Sequence, residues 1–303
     1  MSFSKRILPI IFLGTTCVFQ ACTTDAKPKE TLVKNAVENE ETKKIPLPPL
    51  PKSVIFCGEE FQLDNFDVRE RLDKELIVNT FYHSSTIQGL KQANRYFPQI
   101  ENELKANGIP DDFKYLCLIE SGLTQATSPS GAKGFWQFMP KTAEEFGLVV
   151  NGQIDERLDI AKSTVAACRY LQDAQKKFND WMLTAASYNR GIGGIEEALK
   201  DQEVDCYFDL HLTNETSRYV FRIIAMKLIF ENPQAYGFSK EEIELYEPIP
   251  TREVVVKASI LNLKHWAKEQ GSNYRMLKLL NPWILTDKLT VKNSEMIIEL
   301  PAK

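Results

Sequence analysis

The sequence predicts a mainly α-helical domain followed by a small β–α–α–β unit. Three observations carry this prediction. Apolar residues recur at helical spacing from about residue 60 to 245, and no strand pattern of comparable strength interrupts them. After about 246, two β-like runs bracket two helical ones. A chain of 303 residues has room for one large domain or two, with a proper core.

The elements follow in order. Residues 1–21, "MSFSKRILPIIFLGTTCVFQA", place Lys5 and Arg6 before an apolar stretch from Ile7 to Leu13, the shape of a secretory signal peptide. The ending "VFQAC" is similar to a bacterial lipobox, with Phe19 where Leu is usual. That resemblance implies lipidation at Cys22; Cys17 is the competing cysteine, and an ordinary signal peptide is the alternative. Residues 22–58 are rich in Lys, Glu, Thr and Pro and read as a linker, stiffened by "PLPPLP".

Residues 59–245 form the helical domain. "VRERLDKELIVNTF" and "QANRYFPQIENELKANG" are amphipathic, and Gly108 stops the second. Pro110 opens "PDDFKYLCLIE", with Asp111 and Asp112 suited to a first turn. "PKTAEEFG" is a short helix. Ile160, Thr164, Ala167, Leu171, Ala174 and Phe178 make one stripe on a long one. Asp180 caps "WMLTAASYN", which ends at Gly191, and "TNETSRYVFRIIAMKLIFENP" is a buried helix closed by Pro233. Residues 246–303 hold "REVVVKAS", "LNLKHWAKEQG", "NYRMLKLLNP" and "EMIIELPA", a strand–helix–helix–strand order.

Composition narrows the function. Net charge is −4 with no basic block, so the counterion-release footprint of a nucleic-acid binder is missing. The histidines, His83, His211 and His265, are scattered and make no metal site, and no cofactor motif is found. The cysteines make no disulfide framework in so long a chain, and Cys117 and Cys168, inside apolar helical patterns, read as buried thiols.

One stretch asks for an explanation. In "YLCLIESGL", Phe113, Leu116, Cys117 and Glu120 fall at i, i+3, i+4 and i+7, so Glu120 shares the apolar face. It also sits at a helix C-terminus. Desolvation and the helix dipole both disfavour its charge and raise its pKa, which suits a general acid. A Glu turned to solvent at a fraying end is the alternative that this stretch leaves open. The loop "TSPSGAKGFWQFMP" follows, with Gly131 and Gly134 allowing close backbone approach, Trp136 offering a stacking face, and Gln137 both donor and acceptor. A structural turn around a core Trp is its alternative. "AASYNRG" puts Tyr188 and Asn189 at a helix end.

Taken in order, "ESGL", "SPSGAKGFWQFMP", "AASYNRG" and "ETSRYV" resemble the four motifs of the lytic transglycosylase domain. This is the lysozyme-like fold of bacterial peptidoglycan-cleaving enzymes, and the resemblance runs from about Phe97 to Phe230. It implies that Glu120 is the catalytic acid/base, followed by the family's usual Ser121. It implies that Ser128 and Gln137 are polar substrate contacts and Met139 an apolar wall. Tyr188, with its hydroxyl near the reacting centre, Asn189 and Tyr219 complete the set. Ser187 where Ala is common, and Phe135-Trp136 in place of Leu-Met, are departures that leave these residues untouched. The motifs single out one carboxylate; Glu144, Glu145, Asp155 and Asp159 read as helix-surface and capping residues.

The resemblance implies a substrate of peptidoglycan glycan strands and a reaction at the N-acetylmuramic acid–N-acetylglucosamine bond that closes a 1,6-anhydro ring. One carboxylate then suffices, because the substrate supplies the rest. A hydrolase on the same fold, and a non-catalytic wall-binding lipoprotein, are the alternatives. The C-terminal unit resembles a LysM module around "NYRMLKLLNPWI" but lacks the usual opening turn, so glycan binding and a structural remnant both stand. A lipid anchor implies the cell envelope, at the outer membrane facing the periplasm.

Overall fold

The computed structural model describes residues 46–239, 242–292 and 295–302. The signal peptide, Cys17, Cys22 and the linker up to residue 45 lie outside the described residues.

The described chain opens with a hairpin, β1 (Ser53–Phe56) and β2 (Glu59–Gln62), inside and just beyond the segment read as linker. Cys57 and Gly58 both take positive φ, 53° and 86°, the backbone a two-residue hairpin turn needs. Val54 and Phe56 turn inward and are buried, so this end of the segment belongs to the core.

Eight helices follow: α1 (Phe66–Phe81), α2 (His83–Ala106), α3 (Phe113–Ser121), α4 (Pro140–Glu145), α5 (Ile160–Phe178), α6 (Trp181–Arg190), α7 (Ile192–Gln202) and α8 (Asn214–Glu231). Their ends obey local chemistry. Asn65, Asp159, Asp180 and Thr213 accept backbone N–H bonds as N-caps of α1, α5, α6 and α8. Asp112 departs from its expected place. It precedes α3 and caps nothing there; its carboxylate accepts from the Cys57 N–H and from Lys227 Nζ, both at 2.6 Å. It therefore ties the hairpin turn to α8.

The core sits where α3 is enclosed by α2 and α8. Phe113, Leu116 and Cys117 of α3 are fully buried, as are Leu72 and Leu76 of α1 and Val220, Phe221, Ile223 and Ile224 of α8. Each such large side chain contributes roughly 1.5–3 kcal/mol on burial. On α5 the expected stripe is inward: Thr164, Ala167, Leu171 and Ala174 are buried, and Ile160 and Phe178 flank the core. Cys117 and Cys168 are buried free thiols, and Cys57 and Cys206 are also unpaired.

The C-terminal unit pairs β3 (Thr251–Val256) antiparallel with β4 (Met296–Pro301), with α9 (Leu263–Glu269) and α10 (Tyr274–Leu280) between them. Its core includes Ile154 of the helical domain. The junction is stitched by the Asp155 N–H on the Trp283 carbonyl and the Leu285 N–H on the Gln153 carbonyl, both at 2.9 Å. Asn281 is buried and bridges α10 to β4: its amide donates to the Leu277 and Glu299 carbonyls and accepts from the Glu299 N–H. Among the described residues, no helix is long and apolar enough to cross a membrane.

Candidate active site

Helix α3 is nine residues long and stops where Gly122 turns left-handed, at φ 61°. Glu120 lies in its last turn, half-buried, facing α8. The Tyr219 hydroxyl of α8 donates to Glu120 Oε1. One turn on, Arg222 Nη2 donates to the Ile119 carbonyl at 3.3 Å, which brings its charge beside the same carboxyl. Burial pushes the Glu120 pKa above the ordinary carboxylate value; the Tyr219 bond and Arg222 pull it down, Glu215 adds to the rise, and the net shift is upward. The arrangement favours the protonated acid more than an ordinary carboxyl does, while the Tyr219 bond supports the ionised form.

The loop after α3 folds on itself. The Gly134 N–H meets the Ala126 carbonyl at 2.9 Å and the Lys133 N–H meets the Phe138 carbonyl at 3.1 Å. Ser128 Oγ accepts from the Ala132 N–H at 3.0 Å. Gln137 holds a left-handed backbone, φ 49°, and its amide donates to the Gly134 and Ala126 carbonyls at 2.8 and 3.1 Å. Gly134 has φ 78°, and a Cβ there would lie 2.0 Å from the Arg157 carbonyl oxygen. Here glycine is required by close approach to protein backbone, not by ligand access alone.

Asp155 and Arg157 organise that loop. Arg157 donates to both Asp155 oxygens at 2.8 Å and, through Nη1, to the Gly131 and Phe138 carbonyls at 2.9 and 3.0 Å. Burial pushes the Asp155 carboxyl up, but the bonds and charge of Arg157, with Lys133, outweigh it and hold the pKa below the usual carboxylate range. Asp155 is a cap, as read, its side chain accepting from the Arg157 N–H at the start of the 3-10 turn Glu156–Leu158, but the expectation of a surface residue is corrected: it is 2% exposed. Asp159 caps α5 as read. Trp136 is also corrected. It is fully buried, donates from Nε1 to Thr164 Oγ1 at 2.8 Å, and offers no stacking face.

The remaining candidates divide. Tyr219 touches Glu120. Tyr188 donates to the Trp136 carbonyl at 2.9 Å and packs on Phe138 and Tyr170; burial, then the Glu120 charge, raise its pKa well above the ordinary phenol value. Asn189 accepts from Thr216 Oγ1 at 2.7 Å and donates to Glu215 Oε1 at 3.2 Å, joining α6 to the start of α8. Ser121 turns back on its own helix, donating to the Cys117 carbonyl and accepting from the Leu123 N–H. Ser128 and Gln137 are half-buried loop residues, and Met139 is 42% exposed at the start of α4. None of these three bonds to Glu120.

Arg222 and Glu215 are missing from the sequence reading. Glu215 corrects the view that the motifs hold one carboxylate, since it opens "ETSRYV" and its charge acts on Glu120. The signal for Arg222 is its spacing of three residues from Tyr219 on one helix.

Residues 97–205 match the family model of the transglycosylase SLT domain. Over this stretch the chain resembles a transglycosylase SLT domain. The SLT match begins at Phe97 and stops short of α8, so Tyr219 and Arg222 come from outside it. Residues 252–303 match the soluble lytic transglycosylase C-terminal LysM-like domain. Membrane-bound lytic murein transglycosylase D of Escherichia coli strain K12, and its counterpart in strain O6:H1, are each 32% identical over 191 residues, covering 60% of this chain. The chain spans 41% of the length of these relatives. The 70 kDa soluble lytic transglycosylase of Escherichia coli superposes with a TM-score of 0.41 at 18% identity, over 61% of this chain and 34% of that one.

Proposed function

We propose that the chain is a peptidoglycan lytic transglycosylase that cleaves the bond between N-acetylmuramic acid and N-acetylglucosamine. The observation that carries this reading is a half-buried carboxyl at a helix end, its pKa raised by burial and its oxygen held by a tyrosine hydroxyl. The SLT match over residues 97–205 supports it.

Glu120 protonates the glycosidic oxygen as the C1–O bond breaks, releasing the N-acetylglucosamine side as an alcohol. The substrate's N-acetyl group stabilises the cationic carbon. Glu120, now ionised, removes the proton of the muramyl 6-hydroxyl, whose oxygen closes on C1 to give the 1,6-anhydro ring. Tyr219 keeps one carboxyl oxygen oriented through both steps. Arg222 compensates the negative charge formed between them. Gln137 and Ser128 present polar groups to the glycan and Met139 an apolar wall, with Ser121, Tyr188 and Asn189 shaping the floor.

Cys22 carries the lipid anchor, after removal of residues 1–21, and the linker that follows it, up to the β1–β2 hairpin, tethers the catalytic part to the outer membrane on its periplasmic side. The membrane-bound relatives support this placement. The LysM-like unit adds affinity for the same wall polymer. Loss of fatty-acid labelling in Cys22→Ser tests the anchor.

The deciding experiment is mass spectrometry of soluble products after the protein digests isolated peptidoglycan, with Glu120→Gln in parallel. Muropeptides lacking the elements of one water are expected from the wild type and none from the variant. Reducing ends would point to a hydrolase. No release by either protein would point to a binding lipoprotein.

A further inference from the structure

One charged pair has no role in the site described above: a buried Glu75 held by a partly exposed Arg218. Glu75 of α1 is 1% exposed, in a helix that precedes the SLT match altogether. Its two carboxylate oxygens accept from Arg218 of α8, Nε to Oε1 at 2.5 Å and Nη2 to Oε2 at 3.1 Å. A two-pronged guanidinium–carboxylate pair fixes direction as well as distance, because both groups are planar and their lone pairs and donors must align. Loss of the Arg218 partner would leave the Glu75 carboxylate buried without compensation, which is costly.

What this pair fixes is α8. Arg218 immediately precedes Tyr219, whose hydroxyl reaches Glu120, and Arg222 follows one turn later. Successive helical residues point about 100° apart. Arg218 can therefore face α1 while Tyr219 faces α3; Arg222, four residues after Arg218, points between the two directions and reaches the Ile119 carbonyl, and the rotation of α8 about its axis sets the Arg218 and Tyr219 contacts at once. A second clamp from α1 lies one turn away: the Arg71 guanidinium sits 4.6 Å above the Phe221 ring and donates to the Phe208 carbonyl at 3.1 Å. Beside the same guanidinium, the Tyr207 hydroxyl donates to the Thr216 and Ser217 carbonyls at 3.0 and 2.8 Å.

We propose that Glu75 is a positioning residue for Glu120: through Arg218 it sets the rotation of α8 that puts the Tyr219 hydroxyl on the Glu120 carboxyl. The α1 helix is then part of the catalytic apparatus and not a flanking segment. The proposal rests on the reading of Glu120 as the acid only for its effect on rate; the mechanical claim stands apart from it. The charged and titratable groups facing Glu120 are Tyr219, Arg222 and Glu215 from α8, Tyr188 from α6, and Cys117 from its own helix. The Tyr219 bond is the one that Glu75 reaches through Arg218.

The test is a double-mutant comparison in the full chain, using Glu75→Gln, Tyr219→Phe and the two combined. The 13C carboxyl signal of Glu120, assigned by its loss in Glu120→Gln, is titrated in each, and cleavage rates are measured alongside. Since the Tyr219 bond lowers the Glu120 pKa, Glu75→Gln is expected to move the titration midpoint up and to lower kcat about tenfold at nearly constant KM. In the Tyr219→Phe background, Glu75→Gln is expected to move neither. An unmoved midpoint in Glu75→Gln, or equal shifts in both backgrounds, overturns the proposal. Should Glu75→Gln not fold, Arg218→Lys keeps the charge, loses the two-pronged hold, and is read the same way. A wild type that cleaves nothing but shows the coupled titration would refute the proposed function and leave the positioning role intact.

Discussion

The Tyr219 hydroxyl and the Glu120 carboxylate meet across 99 residues of sequence, joining the end of α3 to the second turn of α8. The bond stabilises the ionised carboxylate, while burial favours the neutral acid, and burial prevails. Glu120 thereby keeps its proton more readily than an ordinary carboxyl, and its conjugate base already has a partner.

Tyr219→Phe removes that bond and little volume. The protonated form of Glu120 gains, so the alkaline limb of the kcat/KM profile shifts to higher pH. The maximal rate falls by roughly ten- to a hundredfold, because the carboxyl loses its orientation. A pH–rate series on isolated peptidoglycan checks both effects. An alkaline limb moving to lower pH would contradict the assigned roles.

Glu120→Gln is expected to be more stable than the wild type at neutral pH. A carboxyl whose pKa is raised by folding contributes stability below its unfolded pKa and loses it as pH rises through the folded value. The neutral amide escapes that loss. Thermal melts should show a higher Tm for the variant at pH 8 and converge with the wild type near pH 4. Such a gain at the expense of activity is common where a site stores unfavourable burial.

Gly134→Ala should cost about 3 kcal/mol or more, from overpacking and backbone strain together. Its new Cβ would lie 2.0 Å from the Arg157 carbonyl, and φ there is 78°. Gly131→Ala, with φ 90° but nothing within 4 Å, should cost only about 1–2 kcal/mol. Urea unfolding of the pair separates the clash from the backbone preference. Equal losses would mean that close packing against Arg157 does not matter.

Arg157→Met should destabilise by about 3–5 kcal/mol, since it leaves Asp155 buried without its main partner. The loss should be largest near neutrality. The Asp155 pKa is held low in the fold, so the pair's contribution is present above the unfolded carboxylate pKa and fades as pH falls through the folded one. The double variant Arg157→Met/Asp155→Asn should recover part of the loss. Chemical denaturation at pH 3 and pH 7 measures each prediction.

The legible part of this protein lies within helices and at their ends. Apolar spacing placed Glu120 on the face of Phe113, Leu116 and Cys117, and the caps Asp159 and Asp180 were readable because a cap bonds a backbone N–H only two or three residues away. The motif order pointed to the SLT domain, and the β–α–α–β order of the C-terminal unit stands as read. The β1–β2 hairpin was hidden by the polar Lys/Pro-rich stretch before it, and only its packing reveals Val54 and Phe56 as core.

By itself, the sequence determined the helices other than α7, their stops, the carboxyl at the end of α3 and the motif order around it. These depend on interactions within about one turn of chain and on residue order. The tertiary structure decided which faces meet: Trp136 enters the core instead of a groove, Asp155 is buried against Arg157, Tyr219 rather than Tyr188 holds Glu120, and Glu75 locks Arg218 from 143 residues away. Burial and charge pairing depend on the packing of distant helices against one another, and no local pattern encodes the angle at which two helices come to rest.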